Sequence, residues 1–324
     1  MSPGRGSAQF ARMAGDNEWK GTSGFAYVAT GELFFREAAE AARHLRAANP
    51  AARICLIADK IHGEKFWDDL VLVERPNFDF RDKLLMALCP YERFVYLDTD
   101  TYVAGDLAEM FDLLARYDVI GHQLFEGHDY RIPEVPDAFP EFNGGVLGFR
   151  RSPAVEKFLG RWLEIYTGYR ARLKDGAWNY SDASDQKGFR LALYESGLRH
   201  SVLGPEFDFI VQHLQFACAA VKIYHGRPFS ELQRIDRRVN ARLGPRAWVP
   251  LLDTCVAQQL SLGGWAEVAW RAGLQVLRGI GRKLLPGVVK DRLRGSGAVR
   301  RAFLRNEEAP GGAVEHKKKW GRDA

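Results

Sequence analysis

The chain has 324 residues, 46% of them hydrophobic and 27% charged, with a formal net charge of +5 and a pI near 9.0. That composition supports a large core and excludes a chain disordered throughout. No window reaches the roughly 18 apolar residues of a membrane span, and the basic balance suits anionic partners without choosing among nucleotide, lipid and nucleic acid.

Residues 1 to 23 are rich in Gly, Ser and charge and read as a disordered segment, with no apolar stretch of signal-peptide length beside Arg5 and Arg12. Phe25 to Ala29 is a short apolar run and reads as a buried strand; Glu32 to Ala48 follows as a helix stopped by Asn49-Pro50. Ile54 to Ala58 and Val71 to Val73 read as the next strands, and Cys55 in the first of them as a small core residue. Arg81 to Leu88 reads as a helix ended by Cys89-Pro90, and Phe94 to Leu97 as a strand running into Asp98. A helix is expected from Leu107 to Leu114 and a strand at Val119 to Gly121. Phe125 to Pro140, with prolines at 133, 136 and 140, reads as a long surface loop, lid or binding segment. Gly145 to Phe149 is a strand, Ser152-Pro153 opens a helix with Ser as N-cap, and Asp185 to Tyr194 is helical. Lys222 to His225 reads as the last short strand.

Strands alternating with helices argue for an α/β fold, a parallel or mixed sheet with helices on both faces. Ligands of such sheets bind beyond the carboxyl ends of the strands, where Thr30, Asp59 and Asp98 all fall. The four cysteines, Cys55, Cys89, Cys218 and Cys255, form no C-x-x-C pair and fit neither a zinc site nor a disulfide framework. They point to a reduced setting, hence a cytoplasmic protein, soluble or peripheral to a membrane.

The sharpest chemical signal is Asp98-Thr99-Asp100 at the tip of the apolar strand. Two carboxylates delivered there repel each other unless a cation lies between them, and a divalent ion would leave positions for a nucleotide diphosphate. The plainer reading is a pair of solvated loop acids. His225, in Tyr224-His225-Gly226-Arg227-Pro228, is a candidate third ligand; an imidazole favours manganese over magnesium, and Arg227 is suited to clamp phosphate oxygens. A histidine closing a strand is otherwise structural. Asn143-Gly144-Gly145 offers close backbone approach and an amide for sugar hydroxyls, or is a plain turn. Asp185-Gln186 either lies by a donor sugar or begins a helix as an N-cap. Arg81 and Lys83 either steer an anionic donor or are solvated helix surface.

Taken in this order, the segments between residues 25 and 228 resemble the retaining glycosyltransferases of the GT-A fold, in particular glycosyltransferase family 8, of the glycogenin and lipooligosaccharide galactosyltransferase type. The resemblance implies a Rossmann-like mixed sheet that binds a nucleotide-diphosphate sugar, most naturally a UDP-sugar, and transfers its sugar in a metal-dependent, retaining reaction. It implies that Asp98, Asp100 and His225 hold Mn2+ or Mg2+, and that Thr30 and Phe34 lie in the base-binding segment, with Phe34 stacking on uracil. Arg81 and Asn143 would contact the donor, and Asp185 and Gln186 would flank the anomeric carbon. The late motif is shorter than the family's, with Arg227 where a lysine is usual, and Lys187 stands where the family often has an acid.

Three rivals stand beside this reading. A haloacid-dehalogenase-type phosphatase also uses D-x-D, but needs Thr or Val where Tyr102 stands and a motif that opens the domain. A sugar nucleotidyltransferase wants a Gly-rich basic loop after the first strand, and Thr30-Gly31-Glu32 is none. A non-catalytic nucleotide-sugar-binding protein of the same fold is compatible with every motif. The expected organisation is a catalytic domain over 24–235 and a basic helical extension over 236–324, where Trp270, Leu274, Leu277, Ile280 and Leu284 fall at helical spacing among arginines. That extension either packs on the core or lies on an anionic membrane. The acceptor, whether glycan, lipid or peptide, is not legible, and no nucleic acid is expected.

Overall fold

The structure, a computed structural model, describes residues 22–124, 132–172, 184–257 and 269–274. It divides into two compact units, one of Met1–Ile210 with Ala220–Asp236, the other of Val211–Ala219 with Arg237–Ala324.

The first unit runs β1 (Ser23–Ala29), α1 (Glu32–Ala48), β2 (Ile54–Ala58), β3 (Asp69–Leu72), a 3-10 helix (Phe80–Leu88), β4 (Arg93–Leu97) and β5 (Thr101–Val103). It continues through α2 (Ala108–Leu114), β6 (Val119–Gln123), β7 (Phe142–Arg150), α3 (Pro153–Arg172), α4 (Gln186–Ser196), β8 (His200–Leu203) and β9 (Phe209–Ile210). After β10 (Gln215–Ala217), which belongs to the second unit, β11 (Ile223–His225) returns to the first.

Seven strands form one mixed sheet in the order β3-β2-β1-β4-β7-β6-β8. Strands β1 to β4 are mutually parallel, β7 is antiparallel to both its neighbours, and β8 is parallel to β6. Side chains alternate across the sheet. Ala26, Val28, Cys55, Ile57, Phe94 and Tyr96 face a core shared with α3 and α4. Phe25, Tyr27, Leu56, Val95 and Leu97 face the opposite core, shared with α1 and α2. Both faces are therefore buried, which is why these strands read as continuous apolar runs. All of the mixed-sheet architecture expected from the sequence is present.

Several local expectations change. The segment 81–88 is a 3-10 helix. Asp79 caps it by accepting from Arg81 N at 2.8 Å, and Cys89 N closes an i to i+3 bond to Met86 O. Pro90 keeps Cys89 out of the helical region, so no full α-turn can be added. Strand β3 spans Asp69–Leu72, slightly earlier than read. Strand β7 starts at Phe142, so Asn143 and Gly144 are strand residues and the turn reading fails; a register shift between Gly121 and Gln123 brings Phe142 opposite Gln123. The described end of the Phe125–Pro140 loop is not simply surface. Ile132 and Val135 are buried, and the buried Arg190 guanidinium on α4 donates to the carbonyls of Pro136 and Phe139.

β11 is not the last strand. In the second unit β10, β12 (Arg246–Val249) and β13 (Thr254–Ala257) form an antiparallel sheet. The buried Arg246 donates to the carbonyls of Val239, Gly244 and Ala219, and Trp248 Nε1 donates to Val211 O at 2.8 Å. Residues 269–274 are helical; Leu277, Ile280 and Leu284, like residues 1–21 and 125–131, lie outside the described residues. The four cysteines are free. Among the described residues no helix is long and apolar enough to cross a membrane.

Candidate metal centre and donor site

The buried strand β4 delivers Asp98 to the carboxyl edge of the sheet, where its backbone N–H donates to Gly145 O at 2.8 Å. Thr101 closes the turn, its N–H and hydroxyl both donating to Asp98 O. The chain then enters β5, which pairs antiparallel with β11 so that Thr101 lies opposite His225. That register brings His225 beside Asp100, and Gly226 N donates to Asp100 O at 3.0 Å. One ligand atom each from Asp98, Asp100 and His225 lies within 4.8 Å of the other two. His225 Nε2 is 3.4 Å from Asp100 Oδ1 and 3.8 Å from Asp98 Oδ2.

The other ring nitrogen, Nδ1, lies 3.0 Å from Oδ1 of the fully buried Asp208. Asp208 immediately precedes β9, which pairs parallel with β11 and places Ile210 opposite His225. A carboxylate behind an imidazole fixes which nitrogen faces outward and raises its basicity, the arrangement that supports metal-bound histidines. Two carboxylate oxygens and one supported imidazole are a donor set that fits a divalent ion such as Mn2+. Burial disfavours ionic His225, but Asp100 and Asp208 override it and hold its pKa well above the ordinary value. Burial also opposes ionisation of Asp100, yet His225 and Arg227 keep its carboxyl below the usual range.

Lys83 lies across the same cluster. Its Nζ is 3.2 Å from Asp98 Oδ2, 3.3 Å from Gly144 O and 3.5 Å from Asp185 Oδ2. Burial alone would lower the Lys83 pKa; Asp185 and Asp98 raise it instead. Tyr96 donates to the second oxygen of Asp98. Asp185 stands at the N-cap of α4 but its side chain makes no capping bond, so the plain capping reading does not hold. Its carboxyl is raised, first by burial and also by Asp98, against the pull of Lys83. Trp162 Nε1 holds the Asp185 carbonyl at 2.9 Å. Gln186 Nε2 points to Phe142 O at 3.5 Å, and Asn143 Oδ1 accepts from Gly145 N at 2.6 Å.

Both glycines of the Asn143 segment are closely approached, Gly145 by a ring that a side chain there would displace and Gly144 by the tips of two flexible side chains. A Cβ at Gly145 would stand 2.1 Å from His225 Cε1, and one at Gly144 would stand 2.9 Å from Asp185 Oδ2 and 3.0 Å from Lys83 Nζ. β7 thus lets the histidine and the Lys83–Asp185 pair press against bare backbone.

The structure brings together Asp98, Asp100, His225, Lys83, Asp185 and Arg227, with Asn143 and Gln186 on adjoining backbone. It places three other candidates on partners of their own. Thr30 donates to the buried Asp82 at 2.9 Å, which also accepts from Asn77 N and Phe78 N. Arg81 pairs with Asp79, which Arg170 also approaches. Phe34 is half-buried against the core that contains α1. Asp208, Tyr96 and Glu37, whose carboxylate accepts from Arg227 Nε at 2.7 Å, carry no signal of their own in the sequence reading. Tyr96 is marked only by its place two residues before Asp98 on a strand, since both share a face. Nothing local marks Asp208 or Glu37.

No protein-family model matches the sequence, and no curated protein matches it. Solved structures do show likeness. The galactosyltransferase LgtC, in complex with donor and acceptor sugar analogs, is 16% identical with a TM-score of 0.40, covering 58% of this chain and 76% of that one. The glycosyltransferase GlyE of Streptococcus pneumoniae TIGR4 is 16% identical, TM-score 0.42, over 59% of this chain and 48% of that one, so this chain matches about half of it. Mouse xyloside xylosyltransferase 1 is 12% identical, TM-score 0.40, over 64% of this chain and 98% of that one. All three are named as glycosyltransferases. At this level of likeness the chemistry rests on the site itself.

Proposed function

We propose that the chain is a glycosyltransferase that moves a sugar from a nucleotide-diphosphate donor, a UDP-sugar in the first instance, to an acceptor with retention of configuration. The observation that carries the reading is the convergence of Asp98, Asp100 and His225, within 4.8 Å, at the carboxyl edge of the sheet. These three residues would hold Mn2+ or Mg2+, which neutralises the negative charge that grows on a departing diphosphate. Asp208 orients His225, and Tyr96 fixes the Asp98 carboxylate from the side away from Lys83.

The Lys83 ammonium and Asp185 carboxylate, 3.5 Å apart, form a preorganised pair suited to sugar hydroxyls and to charge on the reacting carbon. Asn143 and Gln186 line the same backbone and suit the sugar ring. Arg227 supplies a planar, bidentate donor for phosphate oxygens. Thr30 and Phe34 stand at the end of β1 and the start of α1, where the base would lie.

The test is turnover of a nucleotide-sugar panel with Mn2+, read as release of the diphosphate, alongside Asp100→Ala. The variant is expected to lose about 100-fold or more in rate, on the order of 3 kcal/mol of transition-state stabilisation. Wild-type-like turnover by Asp100→Ala ends the proposal. A transferred sugar with inverted anomeric configuration would remove retention alone.

A further inference from the structure

Asp100 turns one oxygen toward the candidate metal position and gives the other to an arginine. Arg227 Nη1 donates to Asp100 Oδ2 at 2.7 Å, whereas Asp100 Oδ1 faces His225 Nε2. The opposite edge of the same guanidinium is gripped by Glu37, with Nε to Oε1 at 2.7 Å and Nη2 to Oε2 at 2.8 Å. Glu37 projects from α1 and is itself fixed, accepting from Thr99 Oγ1 at 3.0 Å, between the two aspartates. The side chains of Glu37 and Asp100 are 17% and 13% exposed and that of Arg227 is 32% exposed. Charges in such a position are screened far less than on an open surface.

This arrangement sets an arginine against a cation. A divalent ion that shares Asp100 must tolerate a guanidinium hydrogen-bonded to the same carboxylate, and two positive groups on one carboxylate repel. A diphosphate changes the balance, because its oxygens offer the fork of Arg227 a second anionic partner. Glu37 holds the Nε edge through either arrangement, so only the Nη1 contact has to change hands.

We propose that Arg227 is the resident counter-ion of Asp100, passed to the diphosphate when a nucleotide binds, with Glu37 as the positioning residue that keeps it within reach of both. Metal and nucleotide then assist each other's binding, by the same factor in either direction. This inference rests on the reading of Asp98, Asp100 and His225 as the metal site.

The experiment measures Mn2+ affinity of the full chain by calorimetry or by the spin resonance of free ion, without and with UDP. In the wild type UDP is expected to tighten Mn2+ by about tenfold or more. Arg227→Gln should bind Mn2+ several-fold more tightly without UDP and show a smaller UDP effect, since the competing charge is gone. Glu37→Gln should move the other way, weakening Mn2+ without UDP, because the arginine then rests on Asp100 alone. Opposite signs from two neighbouring substitutions are not produced by a general loss of structure. The double variant Glu37→Gln with Arg227→Gln keeps the net charge and should behave like Arg227→Gln, which separates the local contact from the overall field. Unchanged Mn2+ affinity and an unchanged UDP effect in Arg227→Gln and in the double variant overturn the inference. Absence of Mn2+ binding by the wild type, with and without UDP, would instead strike the metal reading beneath it.

Discussion

A histidine is a good metal ligand only when something holds its second nitrogen. Here that is Asp208, buried and 3.0 Å from His225 Nδ1. Asp208→Asn keeps the shape but exchanges a carboxylate for an amide, and is expected to weaken Mn2+ binding by about 10- to 100-fold. Calorimetric titration with Mn2+ checks it; a variant with wild-type affinity would mean the imidazole is positioned by something else. Gly145 makes a second residue-scale case. An added methyl would stand 2.1 Å from His225 Cε1, so the ring must move. Gly145→Ala is expected to cost at least about tenfold in Mn2+ affinity while far-UV circular dichroism stays native, since core shifts of this kind cost about 1–3 kcal/mol. Retained affinity would show that the backbone of β7 yields in place of the ring.

At the scale of elements, the two ends of the sheet do different work. The carboxyl edge of β4 carries the site. The opposite edge is tied by Asp118, just before β6, which accepts from Arg150 at the end of β7 and from Arg199 N, before β8, at 3.1 Å. Burial raises the Asp118 carboxyl, but Arg199 and Arg150 outweigh it and leave its pKa lowered. A lowered carboxyl stabilises the fold above the ordinary Asp range and loses that contribution as pH falls through its native value. Asp118→Asn is therefore expected to lower the thermal midpoint at pH 7, by about 1–3 kcal/mol of stability. The gap from wild type should narrow as pH drops below about 4. Differential scanning calorimetry across pH 3 to 7 reads it, and a gap that is the same at every pH would show the loss is one of packing. Mn2+ affinity should not change, because Asp118 is at the far edge.

Over the whole molecule the charge is unevenly divided. Residues 237–324 hold 18 of the 46 Lys and Arg but only 7 of the 41 Asp and Glu, so the positive net charge of the chain is concentrated there. The described part of the second unit also exposes Phe216, Leu243 and Trp270. If this basic segment lies on an anionic surface instead of packing on the core, the chain should associate with vesicles containing anionic lipid, weakly with zwitterionic ones, and be released by salt as screening rises. Co-sedimentation of the full chain at low and high salt checks this; equal pelleting with both lipids, or none with either, would remove it.

The sequence alone determined the layers of the first unit. Apolar runs as short as Phe25 to Ala29 and Phe94 to Leu97, alternating with helical segments, read as strands buried on both faces, and the seven-stranded sheet places them so. It also marked Asp98 and Asp100, because a strand tip is set by the local chain. Tertiary structure decided what those carboxylates meet. His225 reaches Asp100 through the β5–β11 pairing, Lys83 reaches Asp98 from the 3-10 helix, and Glu37 meets Arg227 from 190 residues away. The same holds for Thr30 and Arg81, drawn onto Asp82 and Asp79 by loop packing, and for β12 and β13, where arginine-rich sequence suggested helix. Periodicity reports which face of an element is buried; it carries no information about which distant charge will stand opposite, because that is fixed by strand order and register.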